Sequence, residues 1–393
     1  MRIKRQDNAR NTVKKLMNNF CVIPWISITS DNAGLVRPCC KFAEKDKQDQ
    51  YPTGSLKQNT YEEIWNGENF KNIRKAFLDN KKIPECSSCW KEEAAGLKSY
   101  RNMYNSMFLE PIEYGLVADP PKVVDLKLSN VCNFKCRMCD YSYSSLILKE
   151  DKEYRSYQIS DESYYLSNKI LGTENESYFF DKIVPNLFQI EFTGGEPFVS
   201  PEAKKIIKRI SESEYSKNII IMITTNGSII NHDMLTQLQK FKQVRISVSI
   251  DDIDERLEYQ RKGARWPTIQ KNIMTLKDQR FQLSIHPTIN NYNIWDIDQL
   301  LNWAGYNNIS TVINVLHGPE RLCIKNLHND IKQRILEKHK SDHRLRNVLN
   351  YLTQDRDENV TDFIKETEFL DSVRKESFRD IYPEWSELIY AYM

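Results

Sequence analysis

No apolar run in the 393 residues is long enough to span a bilayer or to form the hydrophobic segment of a secretory signal, so a helical membrane protein is excluded and a cytoplasmic location is expected. An excess of either charge is missing too. With 56 basic and 54 acidic side chains the formal charge is +2, which by itself points to neither a nucleic-acid nor a membrane partner. Arg2, Lys4, Arg5, Arg10, Lys14 and Lys15 make the start of the chain basic, but no dense Lys/Arg block follows, and a solvated, partly helical face is the expectation there. There is no internal repeat and no low-complexity tract. A disulfide framework does not suit a chain of this size, and clustered thiols call for a reducing compartment.

What is present is cysteine in two groups. Cys132, Cys136 and Cys139 are spaced C-x3-C-x2-C directly after the β-branched run Val123-Val124-Asp125-Leu126-Lys127-Leu128. Three thiolates are one fewer than a closed iron-sulfur or zinc site takes, so the triplet suggests a cluster with one metal open to a small molecule. Buried thiols, or a zinc site that borrows a distant His or Cys, are the structural alternatives. The second group is Cys21, the adjacent pair Cys39 and Cys40, and Cys86 with Cys89. Cys21, one of the pair, Cys86 and Cys89 make a complete four-ligand set that fits either iron-sulfur or structural zinc. Cys323 is expected to be a plain buried thiol.

Strand-like runs at Val123 to Leu128, Leu187 to Phe192, Ile219 to Thr224, Val244 to Ile250, Phe281 to Thr288 and Thr311 to Leu316 alternate with helical stretches. Six β/α units predict an α/β fold with a parallel sheet whose ligands gather at the carboxyl ends of the strands. The connection from about 141 to 185 is unusually long and tyrosine-rich, with Tyr141, Tyr143, Tyr154, Tyr157, Tyr164, Tyr165 and Tyr178. Most of these are expected to pack an insertion; Tyr141 and Tyr143, nearest the triplet, are the better site candidates. After Pro319 the pattern is helical, predicting a C-terminal cap over 321–393.

The triplet resembles the cluster motif of radical S-adenosylmethionine (radical SAM) enzymes, and further motifs carry the resemblance to about His317. Thr193-Gly194-Gly195-Glu196-Pro197 is similar to the family's turn for the amino group of the methionine moiety. Thr224-Thr225-Asn226-Gly227, the stretch from Ser247 to Asp252, and Tyr259 to Ala264 fall where the family places ribose and carboxylate contacts. The resemblance implies a partial (β/α)6 barrel over 119–320, with Gly194, Gly195, Glu196, Asn226, Ser249, Asp251 and Arg261 binding S-adenosylmethionine. Ser249 and Asp251 would lie near the ribose, and Arg261 would pair with the methionine carboxylate. Met138 stands where many members carry an aromatic residue beside the adenine; its thioether can pack on a purine.

The N-terminal cysteines, with Gly54-Ser55-Leu56, Tyr61 to Asn66, Arg74 and Pro84, resemble the auxiliary-cluster module called SPASM or twitch, here over 1–118 and ahead of the barrel rather than after it. The resemblance implies a 4Fe-4S cluster on Cys132, Cys136 and Cys139 and an auxiliary cluster on Cys21, Cys39, Cys86 and Cys89, with zinc the alternative for the second. It also implies reductive cleavage of S-adenosylmethionine, an electron donor such as flavodoxin or ferredoxin, and a peptide or protein side chain as substrate. A small metabolite remains the alternative substrate, and a non-catalytic iron-sulfur or zinc protein the alternative of another class. No general acid or base stands out.

Overall fold

The computed structural model describes residues 18–42, 53–94, 96, 98–109, 114–155, 170–279, 281–354 and 360–392. The basic residues from Arg2 to Lys15, and Tyr157, Tyr164 and Tyr165, lie outside the described residues. In chain order the strands are β1 Ser27–Ser30, β2 Leu35–Arg37, β3 Gly54–Ser55, β4 Val123–Lys127, β5 Lys135–Cys136, β6 Gln189–Thr193 and β7 Ile220–Thr225. They continue with β8 Gln243–Val248, β9 Arg261–Lys262, β10 Gln282–Ile285, β11 Thr288–Ile289, β12 Ser310–Thr311 and β13 Asn314–Val315. By compactness the chain divides into two units, one of Met1–Asn130, Asp161–Met222 and Asp233–Gln243, the other of Val131–Ser160, Ile223–His232 and Val244–Met393.

In the first unit β4 runs parallel to β6, as alternating α and β segments require. The N-terminal segment adds an unanticipated strand. β1 pairs in parallel with β4, Ser27 opposite Val123 and Ser30 opposite Leu126, while β2 and β3 continue outward antiparallel. Period-two alternation decides what each face carries: Val124, Leu126, Ile190 and Phe192 are buried, whereas Asp125, Lys127, Glu191 and Thr193 point to the other face and are half-buried. The helix Pro201–Ser211 follows β6. Ser200 Oγ accepts the Ala203 N–H, Pro201 opens the first turn, and Ala203, Ile206, Ile207 and Ile210 form its buried stripe. Near the N-terminal cysteines, the buried Arg74 guanidinium donates to Pro24 O, Asn66 Oδ1 and Leu116 O, each at 2.9 Å, and lies 4.6 Å from the Trp65 ring. With carbonyls and rings in place of a carboxylate, burial lowers its pKa to about 10.

In the second unit β8, β10 and β12 are parallel neighbours. The expected runs Phe281 to Thr288 and Thr311 to Leu316 are each broken in two, and β11 and β13 form their own parallel pair. Pro287 explains the break, since it has no N–H for the ladder; its carbonyl still accepts from Asn314 N at 2.9 Å. The C-terminal segment is helical, as its pattern predicts, with Asn329–His339, Arg346–Leu352, Val360–Arg374, Phe378–Ile381 and Pro383–Tyr390. The protein is thus a mixed α/β fold built on a parallel sheet. Among the described residues no helix is long and apolar enough to cross a membrane.

Candidate functional site

In the second unit the cysteine triplet sits on a loop tied down at both ends. Its middle cysteine lies in β5, which pairs antiparallel with β9 so that Cys136 stands opposite Arg261 and Lys135 opposite Lys262. The next amide, Arg137 N, donates to Gln260 O at 2.8 Å. Gly263 closes the ribbon at φ 105°, where a Cβ would come 2.8 Å from Asn133 O and 3.1 Å from Phe134 Cδ1, so only glycine lets the chain approach the loop so closely. Within the loop the Phe134 N–H points at Cys132 Sγ, 3.5 Å away, and Cys139 N donates to Cys136 O at 3.1 Å.

Side chains complete the anchoring. Asn226 Nδ2 donates to Asn133 Oδ1 at 2.9 Å, and Asn133 Nδ2 to Ser228 Oγ at 2.9 Å, so the turn after β7 holds the loop rather than standing apart from it. The Arg137 guanidinium, fully enclosed, pairs with Asp371 at 2.6 Å and Glu376 at 2.7 Å and stacks 3.7 Å from the Tyr259 ring centre. Arg374 donates to Lys135 O at 2.9 Å and to Glu150 at 2.6 Å. The C-terminal helices, which carry no recognisable motif, therefore brace the cysteine loop. Beside it lies a cavity of about 490 Å³ bordered by Cys136, Cys139, Tyr141, Arg155, Arg321 and Lys365.

The structure treats the other expected ligand contacts unevenly. Arg261 Nε donates to Asp251 Oδ2 at 2.7 Å, and one of its terminal nitrogens lies 3.7 Å from Cys136 Sγ. The resemblance assigns Asp251 to a ribose, but its side chain is fully buried, and its second oxygen accepts Thr288 N at 2.8 Å. Both oxygens accept from protein donors, and through one of them Asp251 fixes Arg261. Ser249 and Met138 are half-buried. Tyr143 is half-buried as well, and Cys323 is buried with its thiol 3.5 Å from Pro319 O.

In the first unit the turn after β6 has Gly194 at φ 104°, where a Cβ would lie 3.0 Å from Asn32 Oδ1 and 3.2 Å from Lys127 Cβ. Gly195 N donates to Ser129 O at 3.1 Å, and the buried Glu196 accepts Phe198 N at 3.0 Å. Three of the four N-terminal cysteines collect in one aromatic pocket, Cys21 and Cys39 buried with Phe20, Trp25, Phe77 and Tyr104 and Cys86 packed against that group, and the buried Cys89 neighbours Cys21 and Cys86. Cys86 ends the short 3-10 turn Pro84–Cys86 and Cys89 lies in the first turn of the helix Ser87–Ala94 that follows directly. Burial pushes Cys21 up to about 12 and raises Cys39, Cys86 and Cys89 as well; Cys39 is raised further by Cys86 and Cys21, and Cys86 by Cys21 and Cys89. Cys40 is exposed, and its charged neighbours are Asp125, Lys127 and Glu191 instead.

One acid-base feature was missed in the sequence. Asp125 of β4 and Glu191 of β6 are register partners on the half-buried face. Lys127 Nζ, 2.7 Å away, and Thr193 Oγ1, 3.1 Å away, both hold the Asp125 carboxylate. For Glu191, burial and then the neighbouring Asp125 push the carboxyl up to about 7 against the pull of Lys127. The alternation Asp-x-Lys within an apolar strand was the signal for it. A raised carboxyl favours the folded state while protonated, so its contribution is present below the ordinary value of 4.5 and is lost as pH rises through about 7. Glu191→Gln is therefore expected to stabilise the protein at pH 8 by at most about 3 kcal/mol and to have little effect at pH 4.5. Urea midpoints at the two pH values check this, and an equal gain at both would refute it.

With this geometry in view, two family models match the chain: the radical SAM superfamily over residues 126–304 and an iron-sulfur cluster-binding domain, SPASM, over residues 21–90. Residues 126–304 of the chain match as a radical SAM domain. The chain is 26% identical over 190 residues to the radical SAM cyclopropyl synthase TigE of Paramaledivibacter caminithermalis, a match covering 46% of this chain and 36% of TigE. It is 30% identical over 137 residues to the GTP 3′,8-cyclase of Aquifex aeolicus, covering 34% and 37% of the two chains. The chain thus matches little more than a third of the length of either relative. Among solved structures, anSMEcpe with bound AdoMet aligns with a TM-score of 0.42 at 16% identity, over 59% of this chain and 60% of that one.

A radical SAM domain with a SPASM-like module implies a 4Fe-4S cluster with S-adenosylmethionine, and auxiliary iron-sulfur in the N-terminal module. Among the described residues no three Cys, His, Asp or Glu side chains already stand in the geometry of an occupied metal site. The donor chemistry nevertheless fits. Burial raises the Cys136 thiol against the pull of Arg261, and a metal would take the place of its proton. The Phe134 amide and the Arg261 guanidinium face Cys132 and Cys136 in turn, a setting suited to anionic sulfur.

Proposed function

We propose that this protein is a radical SAM enzyme that abstracts hydrogen from a peptide or protein side chain. The observation that carries the chemistry is the anchored three-cysteine loop with Arg261 placed on its middle cysteine. In this reading Cys132, Cys136 and Cys139 hold the cluster, and Gly194, Gly195, Glu196, Asn226, Ser249, Asp251, Arg261 and Met138 contribute to the S-adenosylmethionine site, Asp251 through Arg261. Cys21, Cys39, Cys86 and Cys89 hold the auxiliary cluster, Cys39 rather than Cys40 because it is the member of the pair that neighbours Cys21 and Cys86. When bound, the cluster and S-adenosylmethionine together supply a 5′-deoxyadenosyl radical.

The chain's own residues supply position and exclusion of water. Arg137, Arg374 and the β5–β9 ribbon keep the loop in place. The organisation we favour is an auxiliary module over 1–118, a barrel over 119–320 and a helical cap over 321–393, in a cytoplasmic enzyme supplied with electrons by a flavodoxin or ferredoxin.

A peptide substrate is supported by the SPASM-like module, a companion of peptide-modifying radical SAM enzymes, whereas the similarity to a GTP cyclase supports the second reading, a small metabolite. The test uses reconstituted protein with S-adenosylmethionine and either the peptide pool or the small-molecule pool of cells grown on deuterated medium. Deuterium in 5′-deoxyadenosine is expected from the peptide pool. Label from the small-molecule pool alone selects the metabolite reading, and absence of 5′-deoxyadenosine under strong reduction argues for a binding protein.

A further inference from the structure

Arg261 is held by an unusual number of constraints for a residue whose assigned partner is a bound ligand. Its backbone is fixed by the two-residue ribbon that sets it opposite Cys136. Its Nε is fixed by the fully buried Asp251 at 2.7 Å. Asp251 is in turn fixed at both ends, its second carboxylate oxygen accepting Thr288 N at 2.8 Å and its backbone carbonyl accepting Asn293 Nδ2 at 3.1 Å. Asn293 also donates to Thr288 O at 3.1 Å, so the loop after β11 closes the cage. The outcome is a guanidinium whose terminal nitrogen lies 3.7 Å from Cys136 Sγ.

We propose that Asp251 and Arg261 form a preset charge relay that sets the reduction potential of the cluster held by Cys132, Cys136 and Cys139, with Asp251 as the positioning residue. This rests on the radical SAM reading above. A donor to a cysteinyl sulfur, and a positive charge beside the cluster, both stabilise the form carrying the extra electron. The ion pair with Asp251 offsets part of that charge. It also removes the rotamer freedom that would let the guanidinium swing away, and so fixes the donor on sulfur. Arginine has five N–H donors, of which Nε and one terminal nitrogen are used here, so contact with a methionine carboxylate is compatible with the relay. The two roles separate experimentally, because the relay acts on the cluster in the absence of S-adenosylmethionine.

The experiment is a potentiometric EPR measurement of the cluster in the reconstituted full chain without S-adenosylmethionine, for wild type, Arg261→Met, Arg261→Lys and Asp251→Asn. A charge-assisted hydrogen bond is worth about a factor of ten in an equilibrium. Arg261→Met is therefore expected to disfavour the reduced cluster about tenfold, a fall of about 59 mV for one electron. Arg261→Lys keeps the charge without the planar fork and is expected to retain part of the effect. Asp251→Asn is expected to move the midpoint and broaden the EPR signal, because the guanidinium is no longer held in one place. Should Arg261→Met fail to take up iron, the Lys and Asn variants carry the test. Midpoints equal to wild type in variants with full iron content would overturn the relay and leave Arg261 as a ligand contact only. Failure of the wild-type loop to bind iron at all would instead overturn the functional reading.

Discussion

Alanine at Cys132, Cys136 and Cys139 together is expected to lower the iron content of anaerobically reconstituted protein from about eight to about four per chain and to abolish formation of 5′-deoxyadenosine. The three thiols occupy one loop between the end of β4 and the helix Ser145–Tyr154, and two of them flank Arg137, whose anchoring holds the loop to the C-terminal helices. Alanine removes the metal donors while leaving those contacts in place. The four remaining irons would belong to the N-terminal set, since Cys21, Cys39, Cys86 and Cys89 all lie in the first unit. Iron, sulfide and zinc analysis checks the result. About four irons and one zinc in the wild type would make the N-terminal module structural, and cleavage surviving in the variant would refute the assignment of the triplet.

Arg137→Met is expected to cost about 3–5 kcal/mol of stability. Methionine fills much of the volume but cannot answer the charges of Asp371 and Glu376, which lie 2.6 and 2.7 Å from the guanidinium. Lys262, 2.8 Å from Glu376, is the remaining cation of that group, and Asp371 keeps the Tyr259 hydroxyl at 2.8 Å and the Phe378 amide at 2.7 Å. The contact with the Tyr259 ring is lost as well. The cost comes largely from stranding half-buried carboxylates, so the triple variant Arg137→Met, Asp371→Asn, Glu376→Gln is expected to recover most of it. Urea denaturation of all three proteins tests this. A loss below about 1 kcal/mol in the single variant would mean that the loop is not braced through Arg137.

The central strands were readable because a strand buried on both faces, such as Ile219 to Ile223, leaves a continuous apolar run, and because each such run was followed by a helical period. The cysteine sets were readable from spacing, and the polar face of β4 was visible as alternation though its meaning was not. Other elements left no local trace. β1 lies in a short segment, Val22 to Ser30, interrupted by Pro24, and what makes it a strand is the edge of β4 nearly a hundred residues later. β5 and β9 are two residues each, too short for any period, and exist because two distant turns meet. Arg374 and Asp371 look like ordinary charges on a helix until their partners, Glu150 and Arg137, are brought to them.

By itself, then, the sequence determined the α/β class, the central strands and the close spacing of the cysteines, because periodicity and spacing are local properties carried by consecutive residues. The tertiary structure alone decided that Asp251 is enclosed and holds Arg261, that Arg261 faces Cys136, that Glu191 shares a face with Asp125, and that the C-terminal helices brace the cysteine loop. Those relations join residues ten to more than two hundred positions apart. A side chain's charge state and hydrogen-bond partner depend on burial and on which strand becomes its neighbour, and both arise only when the chain closes on itself.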